Sequence, residues 1–259
     1  MRAAVLDDYG KPLDIREVET PEPGPGEVLV RIGGSGACHS DLHVIDSDMP
    51  MLPSLPWILG HENAGWVEAL GGGATGFDTG EPVAVYGGWG CGHCRFCARG
   101  DEQVCNVMMW SGIGRPGGYA EFMVVPSTRH LTPIGDLEPA KAAPLTDAGL
   151  TPYRAVKRSL PYLPPGSTAV VIGIGGLGHY GLQFLQLLSP APVAAWQFEL
   201  NNRAGTMNVV GVENGESAAF GRAPYYDREA AERGALARIV VADFSTQPVE
   251  MLPSGRIRI

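Results

Sequence analysis

Residues 167–188 read STAVVIGIGGLGHYGLQFLQLL and join three kinds of local structure in order. Ala169–Ile172 is an apolar, β-branched run of strand length. Gly173-Ile-Gly175-Gly-Leu-Gly178 is a turn built on the residue that lets backbone approach a ligand closely. An apolar stretch of helical length comes next, over about residues 177–188. A lone G-x-G-x-x-G is a weak signal. Between a strand and a helix it fits the dinucleotide fingerprint, with a pyrophosphate at the helix N-terminus, where free N–H groups and the dipole favour an anion. Gly173, Gly175, Gly176, Leu177 and Gly178 are therefore candidate cofactor contacts, and this part of the chain is expected to be α/β.

The region before this turn reads differently. Most of the 36 glycines and 22 prolines lie in the first two-thirds, between short Val/Ile/Ala-rich runs. That is the punctuation of many short strands joined by turns. With 259 residues the chain is long enough for one large domain or two modest ones. Hydrophobic content of 44% and charged content of 18% suit a globular protein. The net charge of −9, with no basic run, argues against nucleic-acid binding, which needs clustered Lys and Arg. The start, MRAAVLDDYGKPLDI, lacks the apolar core of a signal peptide, and no apolar run is long enough to span a bilayer. A cytoplasmic protein with no membrane partner is expected. A reducing compartment and an odd count of five cysteines both argue against disulfides.

Four of those cysteines fall in GCGHCRFCARGDEQVC, residues 90–105, as C-x2-C-x2-C-x7-C. Thiolates at this spacing converge on one tetrahedral ion, so Cys91, Cys94, Cys97 and Cys105 are candidate zinc ligands. Four sulfur ligands leave no open position, and such a site holds a loop in shape rather than catalysing. An iron–sulfur cluster is the alternative, although the bacterial ferredoxin spacing differs. His93 reads as a solvated loop residue.

The fifth cysteine, Cys38, lies in GACHSDLH, and His61 and Glu62 come later in LGHENAGW. One thiolate, one imidazole and one carboxylate make a mixed ligand set, and an open fourth position is the mark of a catalytic zinc. Singly each is weak, since a lone Cys is usually a small buried hydrophobe. Ser40, Asp41 and His43 place a hydroxyl, a carboxylate and an imidazole close by in sequence.

Several blocks, in order, resemble the zinc-dependent medium-chain alcohol dehydrogenases. They are PEPGPGEVLVRIGGSGACHSDLH (21–43), LGHENAGWVEALGGGATGFDTGEPV (59–83), the four-cysteine lobe, PLTDAGLTPYRAV (144–156) and VVIGIGGLGHYGLQ (170–183). The resemblance covers about residues 1–190 and is nearest to the bacterial branch acting on secondary alcohols. It implies a barrel-like, GroES-like catalytic domain over 1–152 and a shortened Rossmann-type nucleotide-binding domain over 153–259. It implies two zinc ions per chain, NAD, and a small alcohol, ketone or aldehyde as substrate; a homo-oligomer is compatible with it.

The resemblance also implies roles. Cys38, His61 and Asp147 match the catalytic zinc ligands, and Glu62 the acid that can approach the metal. Asp41 matches the carboxylate that orients the ligating imidazole, Ser40 the hydroxyl that takes the alcohol's proton, and His43 the far end of that relay. His39 matches a position facing the cofactor pyrophosphate and Thr151 one beside the nicotinamide. The four lobe cysteines match the structural zinc site. The acid that holds the adenine ribose falls on Gln197, in a candidate strand over 193–198; Glu199, two residues on, shares its face by alternation.

Beyond about residue 198 the resemblance thins. Strand candidates remain at 207–212 and 238–241 and a helix candidate at 227–237, while Tyr225 and Tyr226 read as loop. The chain reads as a family member with an internal deletion and a shortened C-terminus. Its expected function is zinc-dependent hydride transfer between an alcohol and a nicotinamide. The alternative is a zinc-binding remnant of such an enzyme. Trp57, Tyr86, Trp89 and Trp110 are candidates for either pocket or packing, Trp57 first among them for a pocket because it precedes the His61 block.

Overall fold

The computed structural model describes residues 1–47, 53–191, 193–196, 225–226 and 241–242. The chain divides into two compact units, Met1–Ala148 and Gly149–Ile259. The sequence candidates at 197, 199, 207–212 and 227–237 lie outside the described residues.

The first unit opens with β1 (Arg2–Leu6), β2 (Asp14–Glu17) and β3 (Val28–Gly36), then α1 (His39–Ile45), β4 (Trp57–Ile58) and β5 (Glu62–Leu70). Next come β6 (Pro82–Val85), β7 (Gly88–Trp89), β8 (Met109–Trp110), β9 (Phe122–Val125), β10 (Leu131–Pro133) and α2 (Pro139–Ala142). One antiparallel sheet runs β10-β6-β5-β3-β9 and a second runs β2-β1-β4. Alternation along β6 and β9 turns Val83, Val85, Met123 and Val125 inward. They pack with Val28, Val30, Val67, Trp89 and Leu131 as the main core. Each such side chain contributes about 1.5–3 kcal/mol of burial.

The resemblance implies a barrel-like domain, but among the described residues the five-stranded sheet stays open, with β10 and β9 at its edges. The reason lies in the pairing. β1 is used on both sides by β2 and β4, and its link to the β9 side is an isolated bridge, Ala3 to Ala120, beside the Arg2–Glu121 pair. Curvature enters instead through β3, whose register against β5 shifts at Leu29/Val30 and again at Ile32/Gly34. Such bulges bend a strand and redirect the residues beyond the bend. The bent end of β3 leads directly to Cys38, and β5 starts at Glu62, just after His61, with Gly36 paired to Glu62.

In the second unit α3 (Leu150–Ser159) precedes β11 (Ala169–Ile172), α4 (Gly176–Leu188) and β12 (Val193–Trp196). β11 and β12 pair in parallel, Ala169 against Val193, which is the strand–helix–strand order read from the glycine turn. Gly173 has φ of +91°, and a β-carbon on Gly178 would strike the Gly173 carbonyl, so both glycines are needed for α4 to leave the strand this closely. Val156, Leu163, Ala169, Leu185 and Ala191 form its core. Tyr225 and Tyr226, read as loop from the sequence, form a short strand, β13 (Tyr225–Tyr226), antiparallel to β14 (Val241–Ala242). The Pro and Gly flanks point to a turn, yet a two-residue strand needs only a partner, and that partner is distant in sequence. None of the described helices is long and apolar enough to cross a membrane.

Candidate active site and metal centres

Cys38 is the N-cap of α1, and Asp41 lies at the third helical position. Asp41 Oδ2 accepts the Cys38 backbone N–H at 2.9 Å, which fixes the entry of the helix and with it the thiol. His61 sits immediately before β5 and is 3% exposed. Its Nδ1 lies 3.3 Å from Asp41 Oδ1 and its Nε2 lies 3.5 Å from Asp147 Oδ2. The ligand atoms of Cys38, His61 and Asp147 all lie within 4.8 Å of one another. Residues separated by more than 100 positions in sequence thus converge on one point.

The electrostatics of that point call for a cation. Burial opposes a charge on His61, but Asp147, Asp41 and Cys38 outweigh it and push the imidazole up to about 11. Thiol, imidazole and carboxylate are a donor set suited to zinc with a fourth position open. His61 Nδ1 approaches Asp41 without meeting strict hydrogen-bond geometry, and it is the one buried side-chain polar atom left without a partner among the described residues. The residues present fit a metal at the Nε2 side, with Asp41 serving Nδ1.

Glu62 does not complete this group. Its Oε1 accepts the Ala148 backbone N–H at 2.9 Å, which braces the segment carrying Asp147. Burial pushes the Glu62 carboxyl up, against the hydrogen bond from Ala148. A β-carbon on Gly36 would land on the Glu62 carboxylate, so the close approach of β3 to this acid requires glycine. Ser40 Oγ is 3.7 Å from Cys38 Sγ. His39 and His43 are exposed on α1, their ring centroids 4.9 Å apart and edge-to-face.

The four lobe cysteines form a separate group, again with ligand atoms within 4.8 Å of one another. Cys94 Sγ lies 3.5 Å and Cys91 Sγ 3.9 Å from Cys97 Sγ. Backbone N–H groups of His93 and Cys94 hold Cys91 down at about 6, whereas burial pushes Cys97 up to about 12. All five cysteines are unpaired. His93 is exposed, its Nδ1 2.9 Å from the Cys91 carbonyl. The lobe is tied to the sheet by Glu102, which accepts the Gly90 N–H at 3.1 Å and pairs with Arg129 at 2.7 and 2.9 Å.

Of the aromatic candidates, Trp110 approaches His61, with centroids 6.4 Å apart. Trp57 instead packs beside Leu6, Val44 and Leu59, and its Nε1 donates to Gly112 O at 2.9 Å. Thr151 is exposed on the first turn of α3, and Gly175, Gly176 and Leu177 are exposed where α4 begins. Gln197 and Glu199 lie outside the described residues.

Four residues that the sequence did not mark, Tyr119, Asn63, Ser35 and Ser111, support this arrangement. Tyr119 O–H donates to Asp41 Oδ2 at 2.7 Å. Asn63, fully buried, donates to Gly60 O at 3.0 Å and Ser111 Oγ at 3.2 Å and accepts from Ser35 Oγ at 2.7 Å. That network fixes the turn carrying His61. A polar residue inside the apolar alternation of β5 was the only hint.

The chain matches the alcohol dehydrogenase GroES-like domain over residues 24–136. The chain belongs to the medium-chain alcohol dehydrogenase family. An alcohol dehydrogenase of Geobacillus stearothermophilus is 37% identical over 227 residues, 85% of this chain and 66% of the relative. The NAD-dependent alcohol dehydrogenase of Sulfurisphaera tokodaii is 39% identical over 203 residues, 74% of this chain and 57% of its own length. The cobalt- and zinc-bound thermostable alcohol dehydrogenase of Pyrobaculum aerophilum superposes with a TM-score of 0.69 at 40% identity, covering 75% of this chain and 58% of its own. This alcohol dehydrogenase family member therefore spans between about half and two-thirds of the length of these relatives.

Proposed function

We propose that this chain serves zinc- and NAD-dependent hydride transfer between a primary or secondary alcohol and its aldehyde or ketone. The convergence of Cys38, His61 and Asp147, apart from the four-cysteine lobe, carries the reading. Zinc held by these three would supply Lewis-acid polarisation of the alcohol oxygen, and a bound nicotinamide would supply the hydride acceptor. The protein's own part is to position and to move a proton. Asp41 holds the Cys38 backbone and faces the His61 Nδ1, which sets the ring orientation. Ser40, next to the thiol, takes the alcohol's proton, and His43, exposed on the same helix, releases it to water. Glu62 keeps the Asp147 segment in place through Ala148.

Thr151 and the turn Gly173, Gly175, Gly176, Leu177, Gly178, all in the second unit, take the cofactor. The first-turn N–H groups of α4, a helix of 13 residues, have no acceptor within the helix and suit a pyrophosphate. Residues 153–259 are read as a Rossmann-type domain, supported by the parallel β11–β12 pair around α4. The lobe cysteines hold a second, structural zinc, and five unpaired thiols suit a reducing, cytoplasmic setting. A remnant that keeps its metals without productive cofactor binding is the second reading, and Gln197 at the place of the ribose acid favours it. Metal analysis of Cys38→Ser separates the sites. We expect one of two zinc equivalents to be lost and alcohol oxidation to be abolished. Turnover that survives would sink the assignment.

A further inference from the structure

Asp41 is 5% exposed and serves three groups at once. Its Oδ2 accepts the Cys38 N–H at 2.9 Å and the Tyr119 O–H at 2.7 Å, and its Oδ1 lies 3.3 Å from His61 Nδ1. The phenol has one proton to give. Gly36 O is 3.3 Å from the same hydroxyl, so the shorter, charge-assisted bond to Asp41 takes it. Tyr119 is itself anchored by backbone: its N–H donates to Leu59 O at 2.9 Å, and its carbonyl accepts from Ala4 N–H at 2.8 Å. A β-carbon on Gly60 would come within 2.7 Å of the tyrosine ring, so the turn before His61 is pressed directly on it.

We propose that Tyr119 is a positioning residue for the metal centre: its hydroxyl holds Asp41 in the orientation that serves His61 and the Cys38 backbone together. The proposal rests on the reading of Cys38, His61 and Asp147 as metal ligands. Without the phenol proton, the Asp41 carboxylate has only the Cys38 N–H to hold it and is free to turn away from His61 Nδ1. The ligand ring then loses its fixed orientation while every ligand atom remains.

The test is a double-mutant cycle on the full chain: Tyr119→Phe, Asp41→Asn and the pair together. Zinc affinity is read by competition with a chromophoric chelator, and ligand geometry by the visible absorption of the cobalt-substituted protein. Tyr119→Phe is expected to weaken one of two zincs about tenfold. The lobe zinc should be untouched and the cobalt bands shifted. In the Asp41→Asn background the same substitution should change nothing further. Unchanged affinity and spectrum overturn the proposal, as does an equal loss in both backgrounds, which would mean that Tyr119 acts through packing alone. If Asp41→Asn does not fold, Tyr119→Leu decides: a shift set by the hydroxyl must be shared by Phe and Leu, and differing shifts overturn it. A wild-type chain binding a single zinc, at the four cysteines, overturns the ligand reading and the proposal with it, and that result precedes any substitution.

Discussion

His130 is buried between the rings of Tyr86 and Trp89, with Glu102 3.7 Å from its Nδ1 and Arg129 adjacent in sequence. Burial, then the charge of Arg129, pull its imidazole down to about 4, with Glu102 opposing. The folded chain therefore keeps His130 neutral where the unfolded chain, at 6.5, takes up a proton. Stability from this group is complete above pH 6.5 and is lost as pH falls towards 4. Between pH 7 and pH 5 the loss should be about 2 kcal/mol. Urea unfolding of the wild type and of His130→Gln at both pH values checks it: the variant should lose less on acidification. Equal losses would show that the carboxylates account for the whole slope. At this scale, legibility depends on spacing. The lobe cysteines announce themselves by type and interval, whereas Cys38 is weak alone and gains weight only beside His61, Glu62 and its own neighbours. Asp147 is reached only through resemblance, because a single Asp in LTDAG has no pattern of its own. Tyr119 escapes the sequence because its partner is 78 positions away and nothing local to GGYAEF requires a hydroxyl.

The elements show the same division between local and tertiary causes. β11 and α4 are readable because a β-branched run, a glycine turn and a helical apolar stretch are each local, and only the first residue of the helix differs from the reading. The open sheet is not readable, since closure depends on which strand β1 pairs with, and strand periodicity does not encode a partner. The four-cysteine lobe has little apolar material of its own: besides Trp89 at its entrance, Cys97 and Cys105 are its buried apolar residues. A metal held by its four cysteines would do there what a core does elsewhere. Cys97→Ser is expected to release one zinc and to lower Tm by about 5–10 °C, leaving the Cys38 site loaded. An unchanged melting curve would count against a structural metal. The Glu102–Arg129 pair would then be the main tie between the lobe and the sheet.

For the molecule as a whole, the decisive question is whether hydride has an acceptor. The metal-ligand candidates and the glycine turn lie within the first 190 residues, where the family resemblance is close, while the chain covers 57% of the NAD-dependent Sulfurisphaera enzyme. A dinucleotide is held at two ends. The pyrophosphate end needs backbone N–H groups at a helix N-terminus, and α4 presents them behind Gly173 and Gly175. The adenosine end needs an acid on the ribose, a place that falls on Gln197 or Glu199. Pyrophosphate contacts alone tether the cofactor loosely. Both ends together reach micromolar affinity, about −8 kcal/mol. Calorimetric titration of the zinc-loaded chain with NADH is expected to give micromolar binding. Glu199→Gln should weaken it about tenfold if that acid holds the ribose. No detectable heat from a folded chain with two zincs would leave the remnant reading standing: ligands for a Lewis acid at Cys38, His61 and Asp147, with no partner to receive the hydride that such a site activates.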